Sequence, residues 1–415
     1  MHTQPQRLII VGGGVIGLST AYYALKEGFQ VTVLERHPEA GDNCSMGNAG
    51  MIVPSHFTPL AAPGMLSKGL RWMMNPESPF YVRPRPSLEL AHWGWLFCQH
   101  ATTAHVMAVR QLICELNLES RRLFEELSQE ADFGLCKRGL LMLCASQHGL
   151  DEEAEVATQA HTLGLQADIL DAAAAAKLDP NITMNIAGAV HFTQDAHLDP
   201  ARFIAALRQR IQEMGGEILY DCPIETIETG SGKTVAVSGP RGRFTADHFV
   251  IAAGSWTRAL ARQIRLNLPL QPGKGYSLTL ATPPQLPELC SIFAEAKVAI
   301  TPMESSLRFA GAMESGGLNH DINPRRIRGI TKAVERYFPE FSEADFKGVD
   351  AWVGLRPVSP DGVPYLGTAP GLKNMVIATG HAMMGLSLGP VSGKLATGLL
   401  MGQKPLPQLD VARFA

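Results

Sequence analysis

The chain has 415 residues, of which 46% are hydrophobic and 18% charged, and its net charge is −3. That is enough apolar material for one large domain or two interleaved ones, and it excludes a disordered chain. The near-neutral balance, with basic residues scattered and never in a run, excludes an electrostatic footprint for nucleic acid. Arg7–Val11 reads as a short buried strand. Gly12-Gly13-Gly14-Val15-Ile16-Gly17 follows it, then an apolar helix to Glu27, then Gly28 and a second strand, Gln30–Leu34. Glu35 ends that strand, 18 residues past Gly17. In a βαβ unit, G-x-G-x-x-G is a mechanical device. Gly12 allows the tight turn, Gly14 lets backbone approach a pyrophosphate, and Gly17 lets the helix pack on the strand. Val15 and Ile16 open a helix whose free N–H groups and dipole favour phosphate, and Glu35 can accept from ribose hydroxyls. The unit predicts an adenine dinucleotide and leaves its other half open.

Arg36–Pro54 is rich in Gly, Asn and Ser, including the run Ala40 to Gly50. It is read as an ordered loop that leaves room for a ligand, against the plainer reading of a flexible connection. His56–His100 holds six prolines among Trp72, Phe80, Tyr81, Trp93, Trp95 and Phe97, with Arg71, Arg83 and Arg85 interspersed. A short turn at Met65–Met74 is the one helical piece expected before Pro86. The plainer reading is a proline-stiffened cap packed on the domain. The sharper one is a patch that meets a membrane surface, and the lack of a long basic amphipathic helix favours the cap.

Val106–Leu127 has the spacing of an amphipathic helix. Arg138–Ala145 and Ala187–Phe192 read as strands, with a helix over Asp151–Leu163 between them. Asp199 and Pro200 have the N-cap and N1 positions of a helix ending at Gly215-Gly216. Short strands follow at Glu217–Asp221, Ile224–Glu228, Thr234–Val237 and Arg243–Thr245, then the strongly apolar Asp247–Ala253. Gly275–Leu280, Ala299–Pro302 and Leu307–Gly311 again read as strands, Asn323–Phe338 as a helix and Ala351–Leu355 as a strand. Met375–Thr379 is a buried strand. It leads into Gly380-His381-Ala382-Met383-Met384-Gly385-Leu386-Ser387-Leu388-Gly389 and a last helix, Pro390–Met401.

Seven cysteines (44, 98, 114, 136, 144, 222 and 290) form no C-x-x-C and no dense framework. They suit free thiols in a reducing cytoplasm. The thirteen histidines include no H-E-x-x-H, so no metal is expected. No stretch of about 18 apolar residues predicts a transmembrane helix. The short polar start is read as leaving no room for a secretory signal.

The second glycine cluster selects the cofactor. Thr379–Gly389 opens a helix whose N-terminus can place positive potential beside a ring that becomes anionic on reduction, as a flavin does. Two glycine-rich grips, one for pyrophosphate and one for the ring, favour FAD over NAD.

Several segments together resemble the FAD-dependent D-amino acid oxidase superfamily, and within it the bacterial D-amino acid dehydrogenase (small subunit) and D-hydroxyproline dehydrogenase type. They are Leu8–Glu35, Ser45 to Gly50, Ala61 to Gly64, Lys274 to Leu278, Ala299 to Thr301, Gly354 to Gly362 and Thr379 to His381. Met46-Gly47 departs from the family's usual small pair. Gly385-Leu386-Ser387-Leu388-Gly389-Pro390 looks more like the hydroxyproline and glycine-oxidase branches. The resemblance implies a mixed α/β and α+β fold. A Rossmann-like FAD-binding domain from discontinuous segments (1–90, 190–265 and 345–415) would carry an inserted antiparallel-sheet substrate domain (91–189 and 266–344).

It also implies hydride transfer from the α carbon of a D-amino acid to the flavin, giving an imine, with D-proline or 4-hydroxy-D-proline favoured. The alternatives are a glycine- or sarcosine-type oxidase using oxygen, an NAD-dependent dehydrogenase, and a non-catalytic flavin-binding subunit. Arg356 is the expected anchor for the substrate carboxylate, against an ion pair with an acid such as Asp361. Tyr276 could donate to the same carboxylate, against a core aromatic with a satisfied hydroxyl. His381 would position the ring or the substrate, and His56 and Arg308 are lesser pocket candidates. For non-covalent FAD, the resemblance carries over Gly12, Gly14, Val15, Ile16, Gly17, Glu35, Arg36, Ser45, Asn48, Ala49, Gly50 and Met51. It adds Ile224, Ala253, Gly254 and Trp256, then Gly380, His381, Gly385, Leu386, Ser387 and Leu388. Electrons would leave to a quinone, a soluble carrier or oxygen. The location would be cytoplasmic, with peripheral contact at the inner face of the membrane through 56–100. The number of subunits is left open.

Overall fold

The computed structural model describes residues 5–39, 41, 43–75, 77–83 and 85–414. Ala40 and Asp42 of the glycine-rich run, and Pro76 and Pro84 of the proline-rich stretch, lie outside the described residues. The first sheet has six strands in the order Tyr365–Thr368, Met375–Thr379, His248–Ile251, Arg7–Val11, Gln30–Leu34 and Glu217–Leu219. All its pairings are parallel except that of Tyr365–Thr368. Leu8–Val11 is buried on both faces, which explains why it reads as a continuous apolar run and not an alternating one. One face packs on the helices Val15–Lys26, Thr103–Leu127, Pro200–Glu213 and Gly389–Leu400. The last helix lies against the first so closely that a Cβ on Gly393 would sit 2.4 Å from the Ser19 carbonyl carbon.

The second sheet has nine strands among the described residues. Eight run in the order Trp352–Val358, Gln271–Leu280, Ser306–Ser315, Val298–Met303, Cys290–Phe293, Leu140–Cys144, Gly188–Phe192 and Ala167–Asp171, and Phe80–Val82 lies beside Met313–Ser315. It is mainly antiparallel, with two parallel pairings, Cys290–Phe293 to Leu140–Cys144 and Phe80–Val82 to Met313–Ser315. The helix Pro324–Tyr337 packs on it. The sheets cut across the boundaries expected from the sequence. Phe80–Val82 and Trp352–Val358 fall in ranges assigned to the dinucleotide unit, yet both pair within the second sheet, because strand partners are chosen by long-range register.

Several short elements among the described residues lack a sequence signal strong enough to be expected. They include the strands Ala167–Asp171, Cys290–Phe293 and Tyr365–Thr368 and the helices Ala172–Leu178 and Thr257–Gln263. The helix expected from Asp151 begins at Gln147, because Ser146 Oγ accepts the Gly149 N–H and caps it four residues earlier. Leu88–His100 is also helical, capped by Ser87.

The C-terminal tail is tied down by Arg413, which donates to both carboxylate oxygens of Asp361 at 2.7 and 3.0 Å and to the Val363 carbonyl at 2.6 Å. Both partners are largely buried. Arg413→Ala strands the Asp361 charge, so the urea midpoint should fall by the equivalent of about 3–5 kcal/mol.

Candidate active site

A cavity of about 840 Å³ opens where the carboxyl ends of Arg7–Val11, Gln30–Leu34 and His248–Ile251 face the strand Trp352–Val358. That is where open α/β sheets receive ligands. Gly12, Gly14, Val15, Ile16, Glu35, Arg36, Ser45, Asn48, Ala49, Ile224, Ala253, Gly254, Trp256, His381, Gly385 and Leu386 line it.

The turn after the first strand explains the glycines one by one. Gly12 has φ +111°, and a Cβ there would sit 2.4 Å from the Ala252 carbonyl oxygen. A Cβ on Gly17 would sit 1.9 Å from the Gly12 carbonyl oxygen, so Gly17 serves packing and does not reach the cavity. Around Gly14 the nearest atom to such a Cβ is Ser45 Oγ at 3.5 Å, which leaves its backbone open to the cavity. Helix Val15–Lys26 starts there without a side-chain cap. Ser45 Oγ accepts the Val15 N–H at 3.0 Å. Glu35 is held by the N–H of Gly13 on one oxygen and that of His37 on the other.

Residues 46–49 of the loop expected to hug a ligand are held by the second sheet. Four consecutive carbonyls accept side-chain donors. Arg308 donates to Met46 and Asn48, Ser277 to Gly47 and Thr301 to Ala49. This corrects the expectation for Arg308. It clamps the loop and lines a separate surface pocket, because the strand Ser306–Ser315 directs it behind the loop. Gly47 and Gly354 sandwich the Trp352 indole, and a Cβ on either would fall within about 2.1 Å of the ring. Gly50 and Met51 also miss the cavity. Gly50 turns with φ +78° and Met51 pairs with His197.

Arg356 borders the cavity beside Cys44. Its guanidinium lies over Gly275, where a Cβ would be 2.2 Å from Cζ, and Nη1 donates to the Ala312 carbonyl at 2.8 Å. Ala312 has φ +58°, at a bulge between the two strands, and a bulge re-aims what it carries. Asp361 is taken by Arg413, and no carboxylate among the described residues pairs with Arg356. Burial lowers its pKa from the ordinary value.

Tyr276 is one residue on from Gly275 and therefore points to the other face. It joins the core under the second sheet, and its hydroxyl donates to the buried Glu314 at 3.3 Å. The residue also borders the cavity, while its hydroxyl is turned to Glu314. Burial raises its pKa further.

His381 is buried on the cavity wall. Its Nε2 lies 2.9 Å from Ser392 Oγ, and its Nδ1 is buried without a partner among the described residues. Burial pushes its pKa down to about 3, so the ring is neutral. Gly380 turns against Tyr365 with φ +80°. Ser387 Oγ is used internally, accepting from the Val53 N–H and donating to Asn117 Oδ1, and Leu388 joins the core. His56 does not line the cavity. Its Nδ1 meets Ser55 Oγ, which donates to the buried Asp195. Sequence reading missed His37, Cys44, His320 and Trp352 on the cavity wall. Of these, Trp352 had a signal in its flanking Gly354 and the apolar strand it opens.

The family described as DAO, FAD dependent oxidoreductase, matches residues 7–399. The chain belongs to the DAO family of FAD dependent oxidoreductases. It is 30% identical to the D-amino acid dehydrogenase of Granulibacter bethesdensis, over 99% of this chain and 100% of that one. The fold is that of glycine oxidase from Geobacillus kaustophilus (TM-score 0.77, 22% identity, 99% and 100% of the two chains covered). It is also that of L-proline dehydrogenase from P. horikoshii (TM-score 0.73, 17% identity, 99% and 98% covered). The flavoenzyme is therefore an FAD-dependent oxidoreductase, and the NAD and non-catalytic alternatives fall away.

Buried imidazoles give the flavoenzyme a pH signature. Burial holds His197 at about 4 and His381 at about 3, so each gains a proton on unfolding below the ordinary value of 6.5. Their stabilisation is full above that value and is lost as pH falls toward 4. Asp195, raised by burial to about 7, runs the other way, losing stabilisation as pH rises to that value. His197→Gln should flatten the fall in urea midpoint between pH 6.5 and 4 by about one proton's worth, roughly 1.4 kcal/mol per pH unit.

Proposed function

We propose that this enzyme oxidises the Cα–N bond of a D-amino acid, with FAD in the cavity between the sheets and D-proline or 4-hydroxy-D-proline preferred. Two features support the cofactor's place. One is the glycine turn, which exposes backbone at Gly14 and a helix start whose N-cap residue carries no side chain. The other is His381 Nδ1, a buried polar atom on the cavity wall that no group among the described residues satisfies. In this reading Gly12, Gly14, Val15, Ile16 and Ser45 hold the pyrophosphate. Glu35, Arg36 and Ile224 hold the adenosine side, and His381, Gly385 and Leu386 face the ring.

FAD, when bound, takes up the hydride. The observation that carries the substrate reading is Arg356, a guanidinium on the cavity wall with a shaped slot and no carboxylate partner among the described residues. A substrate carboxylate supplies the missing charge, and the fixed guanidinium orients Cα. Neutral His381 offers one acceptor or one donor at Nδ1, which suits positioning. The amine gives up its proton to solvent or to substrate-bound water, and the chain need supply no strong base. The D-amino acid class is supported by the D-amino acid dehydrogenase relative. The cyclic-amine preference is supported by the resemblance of Gly385 to Pro390 to the hydroxyproline branch.

The test is anaerobic bleaching of the flavin by D- and L-amino acids, sarcosine and hydroxyproline isomers, with dye and oxygen as acceptors in parallel. Bleaching by D-proline or 4-hydroxy-D-proline is expected. Bleaching by L-isomers alone removes the stereochemical assignment. Stoichiometric peroxide identifies an oxidase.

A membrane acceptor is supported by one surface feature. Leu66, Leu70 and Met74 follow one another at four-residue steps along Met65–Met73 and its cap, and are 43%, 68% and 86% exposed. Leu88 and Trp95 are also exposed on the helix that follows. No helix among the described residues is long and apolar enough to cross a membrane, so the contact would be peripheral. Co-sedimentation with anionic vesicles, lost on Leu70→Glu, is the expected result.

A further inference from the structure

Arg36, His37, Trp256 and His320 share one rim of the cavity. The first three follow strands of the first sheet. His320 comes from the other side, on the irregular segment 316–323 that leaves the strand Ser306–Ser315 of the second sheet. The His320 ring stacks on the Trp256 indole, with centroids 6.3 Å apart and planes 17° from parallel. Arg36 lies 4.4 Å over the same indole, and His37 meets it edge-on at 6.5 Å. The stack thus bridges the two sheets across the rim.

The segment is fastened from behind. Lys274 is 2% exposed, and its Nζ donates to Asn319 Oδ1 at 2.5 Å and to the Asp321 carbonyl at 2.7 Å. Asn319 in turn donates to the Gly316 carbonyl. A buried ammonium is retained only where its donors are satisfied, and here the acceptors Asn319 Oδ1 and the Asp321 carbonyl belong to this one segment. Leu318 and Ile322 stay about half exposed, so these two side chains gain little from packing. The polar anchor and the ring stack do the holding.

We propose that segment 316–323 is a clasp that retains FAD, with Lys274 as the positioning residue that fixes it and His320 closing the rim over Trp256. The inference rests on FAD occupying this cavity. The clasp is also sensitive to acid. His320 faces Arg36, His37 and Lys274, with Asp321 the opposing charge among the described residues, and desolvation together with those three groups lowers its pKa. A proton on His320 adds like charge to the rim and opens it.

The experiment is release of FAD from the holoenzyme, followed by the rise of free-flavin fluorescence after large dilution into buffer without FAD. His320→Ala and Lys274→Met should each speed release at least tenfold. The wild type should release faster as pH falls from 7 to 5, and His320→Phe, which keeps the stack without titrating, should be slow and flat with pH. Release unchanged in His320→Ala, a surface substitution that leaves the core intact, overturns the clasp. Gly14→Val separates the two levels. It should abolish FAD binding, and FAD bound as tightly as in the wild type would remove the cavity assignment on which the clasp depends.

Discussion

Arg356→Ala should lower kcat/KM for the preferred amino acid by about 10²-fold, with one flavin per chain retained. The magnitude is that of losing one partner of a desolvated charge-assisted pair, about 3 kcal/mol. Arg356→Lys should recover only part of it. The slot over Gly275 and the bond to the Ala312 carbonyl suit a planar fork, and an ammonium presents neither two parallel donors nor that shape. Steady-state kinetics with a dye acceptor, beside the flavin absorbance of each variant, measure it. Because Arg356 has no ion-pair partner among the described residues, the variant should not lose thermal stability. A fall in Tm with unchanged kinetics would make Arg356 a structural residue.

Gly17→Ala should produce a large structural effect for a single methyl group. The added carbon would lie 1.9 Å from the Gly12 carbonyl oxygen and 3.4 Å from Ile10 Cγ2, against backbone that has nowhere to move. The helix must lift from the sheet, which costs about 3 kcal/mol or more and spoils the cofactor turn. Protein purified without flavin and with a lowered urea midpoint is expected. Gly14→Ala is the contrast. With nothing nearer than Ser45 Oγ at 3.5 Å, it should fold within about 1 kcal/mol of the wild type and weaken FAD binding alone. Equal stability losses in the two variants would contradict the separate tasks assigned to these glycines.

Local chemistry was legible in the residues themselves. The dinucleotide turn, its helix and its acid are contiguous. Their periodicity, glycines and N-cap are short-range effects, so the strands Arg7–Val11 and Gln30–Leu34 and the helix Pro200–Glu213 fall where the pattern places them. Motifs far apart in the chain were enough to point to a flavin. What the pattern could not decide was orientation. Tyr276 and Gly275 are neighbours, yet strand parity and the bulge at Ala312 send one side chain to Glu314 and leave the other as the bed for Arg356.

Arg308 reads as a pocket cation until the second sheet is seen to place it behind the loop, on the carbonyls of Met46 and Asn48. His320 carries no motif of its own, and Lys274 stands in a resembling segment that says nothing of where its ammonium goes. They matter because a strand, a loop and a helix start from distant parts of the chain meet at one rim. The sequence alone determined the βαβ turn and the class of cofactor, since both depend on backbone conformations and spacings set within a few residues. Only the tertiary structure decided which side chains face the cavity and which hold its walls, since that depends on register and face between strands that the chain brings together from hundreds of residues apart.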